Sequence, residues 1–459
     1  MPSKPPPAAR RALLLALLAA AAAGQARGGA RAETLPLRVL FRLFDDDRAL
    51  ARDTLQRLGA GWQDGYAAPL LELVGFLPDR ELQQGVLALL DRAAGRPMGT
   101  DLNRRYEWLW SRTPEPHPDY AEFKAALYGQ IDARFREYFA NDRPASIRLD
   151  EIRWGGVERD GIPPLKNPKM VEAGAAGYLS ASNIVFGIAV DGDVRAYPKR
   201  ILAWHEMFKD RIAGRELTGV YCTLCGAMIL YDSQAGGRHH ELGTSGFLYR
   251  SNKLMYDHAT KSLWSTMEGT PVVGPLVGQG LELTPLHVVT TTWGAWKARH
   301  PRTRVLSLDT GHRRDYAEGA AYREYFASDR LMFNVPRLDD RLPNKAEVLA
   351  LRFPAAPGET LAIAADFLLA QRVHHDRVGA QAVVVLTDAS GANRVYDPQE
   401  LRFVGWDGQR RLRDSAGHDW QVGEAALEGP GGRRLPRLAA HRAFWFGWYA
   451  AYPQTRLVK

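Results

Sequence analysis

The hydrophobic pattern of this chain changes period once, near Ile152, and that change decides what it can fold into. Upstream, residues such as Leu55, Leu58, Leu70, Val74, Leu82 and Val86 recur at three-to-four-residue spacing, the signature of helices with one buried face. Pro78-Asp79 reads as a helix entry, with Asp79 placed to cap and Glu81 in the first turn. A second helical stretch is predicted near Tyr120 to Tyr138. Downstream the runs are short, β-prone and divided by glycine turns. The stretch from Ile184 to Val190 predicts a strand, Asp191-Gly192 a hairpin turn, and Pro198 the entry of a helix carrying Ile201, Trp204, His205 and Phe208 on one side.

The last third of the chain echoes this unit. Ile184-Val185-Phe186 has a counterpart in Val348-Leu349-Ala350, Ile201-Leu202-Ala203 in Leu368-Leu369-Ala370, and Gly226 with Tyr231-Asp232 in Gly391 with Tyr396-Asp397. In that alignment Cys222 falls on Thr387 and Cys225 on Ser390, so the second unit lacks the thiols. The predicted fold class is α+β: two related antiparallel-strand-rich units, an internal duplication, preceded by an all-helical N-terminal domain. The expected boundaries are 33–150 for the helical domain, 151–335 for the first unit and 336–459 for the second.

Arg10 and Arg11 precede an apolar run over residues 12–23 and then small residues, the pattern of a secretory signal over residues 1–32. The run falls short of the roughly 20 residues that span a bilayer, and no later segment is apolar enough, so no membrane span is expected after signal removal. The expected location is therefore periplasmic or secreted. The net charge of +8 is scattered along 459 residues, which argues against a nucleic-acid partner and leaves a small molecule or an envelope protein.

Export changes how Tyr221-Cys222-Thr223-Leu224-Cys225-Gly226 must be read, because it holds the two cysteines of the chain. An oxidising compartment converts a close thiol pair to a disulfide unless a metal or a reductant intervenes. The flanks are β-prone, so the pair is expected in a turn between strands, where Gly226 permits a positive φ. That turn resembles a metal knuckle with half its ligands. His205 is the expected third ligand, Met228 or Glu206 a further one, and copper or zinc the expected ion. Two alternatives stand beside it: a thiol-disulfide oxidoreductase using the same pair, and a non-catalytic envelope binding module with a structural disulfide. The polar run from Leu242 to Asn252 suits a pocket lining, with Ser245 or Tyr256 as candidate proton donors and Glu206 as a further candidate catalytic group. His239-His240, His374-His375 and His441 are read as surface residues.

From about Ile147 to Lys459 the sequence resembles a bacterial family catalogued as the domain of unknown function 3179. The motifs that carry it include Asp160-Gly161-Ile162-Pro163, Trp204-His205-Glu206, the cysteine motif, Gly243-Thr244-Ser245-Gly246, Met255-Tyr256-Asp257 and Phe444-Trp445-Phe446. The chain departs from the family pattern at Thr223, where proline is common, and at Lys209. The resemblance implies no activity. It implies that His205, Glu206, Cys222 and Cys225 belong together.

Overall fold

A computed structural model describes residues 34–459; the predicted secretory segment lies outside them. Among the described residues, no helix is long and apolar enough to cross a membrane. The helices Arg48–Ala60, Ala67–Val74, Arg80–Ala94, Leu102–Arg112 and Tyr120–Tyr128 enclose a core around Leu40, Leu58, Leu70, Val86 and Leu90. Asp79 caps the third of these by accepting from Glu81 N at 2.7 Å, and Gly95 ends it in the left-handed conformation (φ 69°).

A buried Lys124–Glu72 pair fastens this region to the strand-rich part of the chain, since Lys124 Nζ also donates to Ile152 O at 2.8 Å. Tyr128, Phe135 and Tyr138 then pack on Phe247, so the helical layer covers a five-stranded sheet. That sheet runs Ile152–Trp154, Leu242–Tyr249, Asn252–Asp257, Leu263–Ser265 and Pro271–Val273 in spatial order.

Two further units share one order of elements. In the first, the hairpin Ile184–Val190 and Asp193–Pro198 turns at Asp191 (φ 47°) and Gly192 (φ 87°) and leads into the helix Lys199–His205. Val289–Thr292 pairs antiparallel with one side of this hairpin; after the helix Trp293–Arg299, Arg304–Leu306 lies parallel to the other. In the second, Glu347–Arg352 and Thr360–Ala364 form the hairpin and Ala365–Gln371 the helix. His441–Phe444 and Arg456–Val458 flank it in the same senses, joined by the helix Trp445–Ala451. Even the fastening of the returning helices agrees: Trp296 Nε1 donates to Thr303 Oγ1, and Trp448 Nε1 to Thr455 Oγ1, each at 3.0 Å.

The units differ beyond their hairpins. In the first, Met207–Ile212, Arg215–Cys222 and Ala227–Asp232 belong to a five-stranded sheet. In the second, the corresponding strands are extended to an eight-stranded sheet that nearly closes into a barrel, where Phe403 N donates to His375 Nε2 at 3.0 Å across the gap. Glu424 from this sheet meets Arg299 and His300 of the first unit and Arg394 and Arg437 of its own. Between the units, residues 307–345 contain one short helix, Arg323–Phe326.

Three sequence expectations need correction here. His240, just past the strand Arg238–His239, is buried because its backbone N donates to Ser233 O and its Nδ1 lies 2.8 Å from Asp257 Oδ2, which hold the ring against the sheet. His441 keeps Nε2 away from solvent without a hydrogen-bond partner among the described residues. The expected match of Cys222 with Thr387 does not agree with the hydrogen bonding, in which Thr387 N donates to Arg372 O as Tyr221 N, not Cys222 N, donates to Glu206 O, both at 2.8 Å.

Candidate functional site

Strands Arg215–Cys222 and Ala227–Asp232 pair down to Cys222 opposite Ala227, leaving residues 223–226 as the turn. The Cα atoms of Cys222 and Cys225 are 5.5 Å apart and their sulfurs are bonded to each other. Gly226 has φ 62°, and a Cβ there would stand 3.0 Å from the Phe444 ring, so both conformation and space call for glycine. Phe444 N donates to Cys225 O at 2.7 Å, and both cysteines are buried.

Glu206 ends the preceding helix in a left-handed conformation (φ 53°, ψ −10°), unusual for a side chain other than glycine or asparagine. Its backbone is held on both sides, N to Leu202 O at 2.7 Å and O from Tyr221 N at 2.8 Å. This aims the carboxylate at the disulfide turn. Oε1 accepts from Thr223 Oγ1 at 2.8 Å and from Tyr322 OH at 3.1 Å, while Oε2 lies 2.5 Å from Lys253 Nζ. Glu206 and Lys253 are both buried, and a buried carboxylate is tolerable only with such partners. The charge of Glu206, with burial second, pushes the Tyr322 phenol well up.

His205 faces elsewhere. Its Nδ1 is 2.9 Å from Pro163 O and therefore carries the proton; its Nε2 accepts from Tyr316 OH at 2.6 Å, and Tyr316 meets Thr310 Oγ1 at 2.6 Å. Burial pushes the imidazole down to about 4, so it is neutral. Tyr316 belongs to a core with Tyr221 and Met228, whereas Cys222 and Cys225 belong to another with Trp264 and Trp445. Met228 is opposite Tyr221 in the ladder, one residue out of phase with Cys222 opposite Ala227, and so projects from the other face of the sheet.

The expected cage of Cys222, Cys225, His205 and Met228 is thus not assembled in this state: the sulfurs bond each other, and both ring nitrogens are engaged. Among the described residues, no group of three or more His, Cys, Asp or Glu is arranged to hold a metal ion. Glu206 is the expected partner that does reach the turn.

Ser245 is fully buried; its Oγ donates to Leu254 O at 2.6 Å and accepts from Phe247 N at 3.0 Å across an irregular stretch of its strand pairing. Tyr256 OH donates to Asp160 Oδ2 at 2.5 Å. Tyr256 holds the first sheet against the loop that carries Pro163, whereas Ser245 bridges two strands within that sheet.

Sequence reasoning missed Lys253, Thr223 and three tyrosines of the 307–345 segment. Tyr316 holds His205, Tyr322 holds Glu206, and Tyr325 OH donates to Leu224 O at 2.7 Å, inside the disulfide turn. Lys253 left one readable signal, a lysine inside the strand Asn252–Asp257 whose neighbours are apolar or amide. The tyrosines left none, because their contacts span about a hundred residues of chain.

Fold and site together define an α+β protein built around a buried disulfide turn bonded to a buried charged pair. Residues 159–455 match the family described as "Protein of unknown function (DUF3179)", more than half of the chain, and the chain belongs to that family. No curated protein and no solved structure matches it.

Proposed function

We propose that Cys222 and Cys225 are a redox-active pair in an exported protein, exchanging their disulfide with a dithiol partner of the cell envelope. One observation carries the reading: the matching turn of the second unit is built without sulfur. There Asp388 Oδ1 accepts from Ser390 N at 2.9 Å, Ser390 Oγ at 2.6 Å and Ala392 N at 3.2 Å, which closes the turn by hydrogen bonds alone. Arg372, exposed, stands where Glu206 is buried. This comparison takes the two units as copies of one ancestral fold. The thiols and the carboxylate are then changed together, at one place, in a frame that closes without either.

In the exchange, a donor thiolate attacks one sulfur, forms a mixed disulfide and releases the other sulfur as thiolate. The donor's second thiol then closes its own disulfide. Two electrons and two protons pass to Cys222 and Cys225, and the donor dithiol is oxidised. Glu206 and Lys253 supply a fixed carboxylate and ammonium joined to the turn through Thr223. Binding of copper or zinc would require reduction of this bond and release of His205 from Pro163 and Tyr316.

The test is equilibration of folded protein with graded ratios of reduced and oxidised dithiothreitol, followed by alkylation and mass measurement. Reversible interconversion of both cysteines with the fold intact supports the exchange. A bond that resists reduction until the protein unfolds marks an inert disulfide and overturns it. Metal analysis of the reduced protein decides between exchange and ion binding.

A further inference from the structure

Exchange requires a donor thiolate to reach a sulfur, and neither is open to one: Cys222 is 2% exposed and Cys225 0%. Part of what surrounds the bond therefore has to move. Most of the surroundings are regular structure. They include the paired strands that carry the turn and the helix Trp445–Ala451, whose Gly447 abuts Cys225. A tight turn between two strands adds Ser251, with its O 4.0 Å from Cys222 Sγ. The exception is the stretch around the short helix Arg323–Phe326.

This stretch meets the turn through specific contacts. Tyr325 OH donates to Leu224 O at 2.7 Å, between the two cysteines, and the Phe326 ring meets Phe444, which packs on Gly226. Phe333 O accepts from Ser251 Oγ at 3.3 Å. On the other side Arg323, Glu324 and residues 327–330 are exposed, so a single layer of chain lies over the turn. Lys345 fastens that layer. Its Nζ donates to Tyr325 O, to Ser328 O at 2.6 Å and to Arg330 O at 2.7 Å, and stands 3.4 Å above the Tyr325 ring. The chain enters through two left-handed residues, Gly319 (φ 72°) and Tyr322 (φ 58°). For an aromatic residue that conformation is strained, so contacts rather than backbone preference keep the layer down.

Given the redox exchange inferred above, we propose that residues 319–333 are a lid over the Cys222–Cys225 bond, latched by Tyr325 and Lys345, and that its opening admits the donor dithiol. A surface segment with few regular hydrogen bonds opens locally at far less cost than the whole fold. Where reclosing is fast, reduction proceeds in proportion to the open fraction. Loss of a latch then speeds reduction without changing the final ratio of disulfide to dithiol.

The test is the rate at which dithiothreitol reduces the bond in the folded protein, read by alkylation and mass in wild type, Tyr325→Phe, Lys345→Met and Val185→Ala. Val185 is fully buried in the strand Ile184–Val190, so its truncation lowers the stability of the same unit without touching the lid. The expected rates are proportional to dithiothreitol concentration, at least about fivefold higher in each latch variant and unchanged in Val185→Ala. Tyr325→Phe loses a hydroxyl and keeps its ring, and circular dichroism checks that each variant is folded. Equal rates in wild type and both latch variants overturn the lid and leave the exchange standing. Rates that track global unfolding, highest in Val185→Ala, overturn both.

Discussion

The hydroxyl of Thr223 lies 2.8 Å from Glu206 Oε1, so the disulfide loop is bonded, side chain to side chain, to a carboxylate whose other oxygen is 2.5 Å from Lys253 Nζ. Because all three residues are buried, the charges of the pair have no water to fall back on.

Glu206→Gln should therefore destabilise the protein by about 3–5 kcal/mol, because it strands the Lys253 ammonium in the interior. Adding Lys253→Met should recover most of that loss. Urea unfolding of the two variants checks both outcomes. A single variant as stable as wild type would mean that the Lys253 charge is met elsewhere.

His205 predicts an acid limb. Its folded-state value, near 4, lies below the ordinary 6.5 of a free imidazole, so the folded state binds its proton less readily than the unfolded state does. The stabilisation is complete above about pH 6.5 and disappears as pH falls through about 4, a change of about 3 kcal/mol. In His205→Gln that part of the pH dependence should be absent. Unfolding midpoints of the two proteins, measured across this window, should converge toward acid pH.

Gly447→Ala probes the packing behind the disulfide. The added methyl would stand 2.5 Å from Cys225 Cβ, well inside contact distance, so the helix Trp445–Ala451 or the turn must shift to admit it. Overpacking of this kind costs about 1–3 kcal/mol, read as a lower melting temperature.

Glu424 joins the two units. The surrounding arginines, Arg394 and Arg437 foremost, outweigh burial and hold its carboxyl well below the usual range. Its contribution is present above about pH 4.5, the ordinary glutamate value, and is lost as the solution is acidified below it. Glu424→Gln leaves buried guanidinium groups without their counter-charge and should cost about 3–5 kcal/mol at neutral pH. Calorimetry should show the eight-stranded sheet melting ahead of the rest.

Local signals survived well in this sequence. The cap at Asp79, the hairpin at Asp191-Gly192, the start of a helix at Pro198 and the turn at Gly226 each depend on a few adjacent residues, and each stands as expected. That helix ends at His205, however, and Phe208 belongs to the strand Met207–Ile212 that follows. The polar run ending at Asn252 does line a cavity, through Tyr249, Arg250 and Asn252. What sequence could not carry was the face on which a side chain emerges. His205 and Met228 lie near the cysteines in sequence, but a helix C-terminus and a one-residue phase difference turn them into a different core. Glu206, the next residue after His205, turns the other way because its own backbone is left-handed. The partners that complete the site, Lys253 and Tyr322, arrive from strands and loops distant along the chain.

The segment of residues 307–345 has little regular structure, yet Tyr316, Tyr322 and Tyr325 fasten it to His205, Glu206 and the disulfide turn in succession. Three groups with different chemistry thus share one tether. Detaching that tether would at once strip the imidazole of its donor, remove one bond from the carboxylate and bare the turn between the sulfurs. Proton uptake at His205 and access to the Cys222–Cys225 bond would then rise and fall as a single event, whichever of them an experiment happens to track.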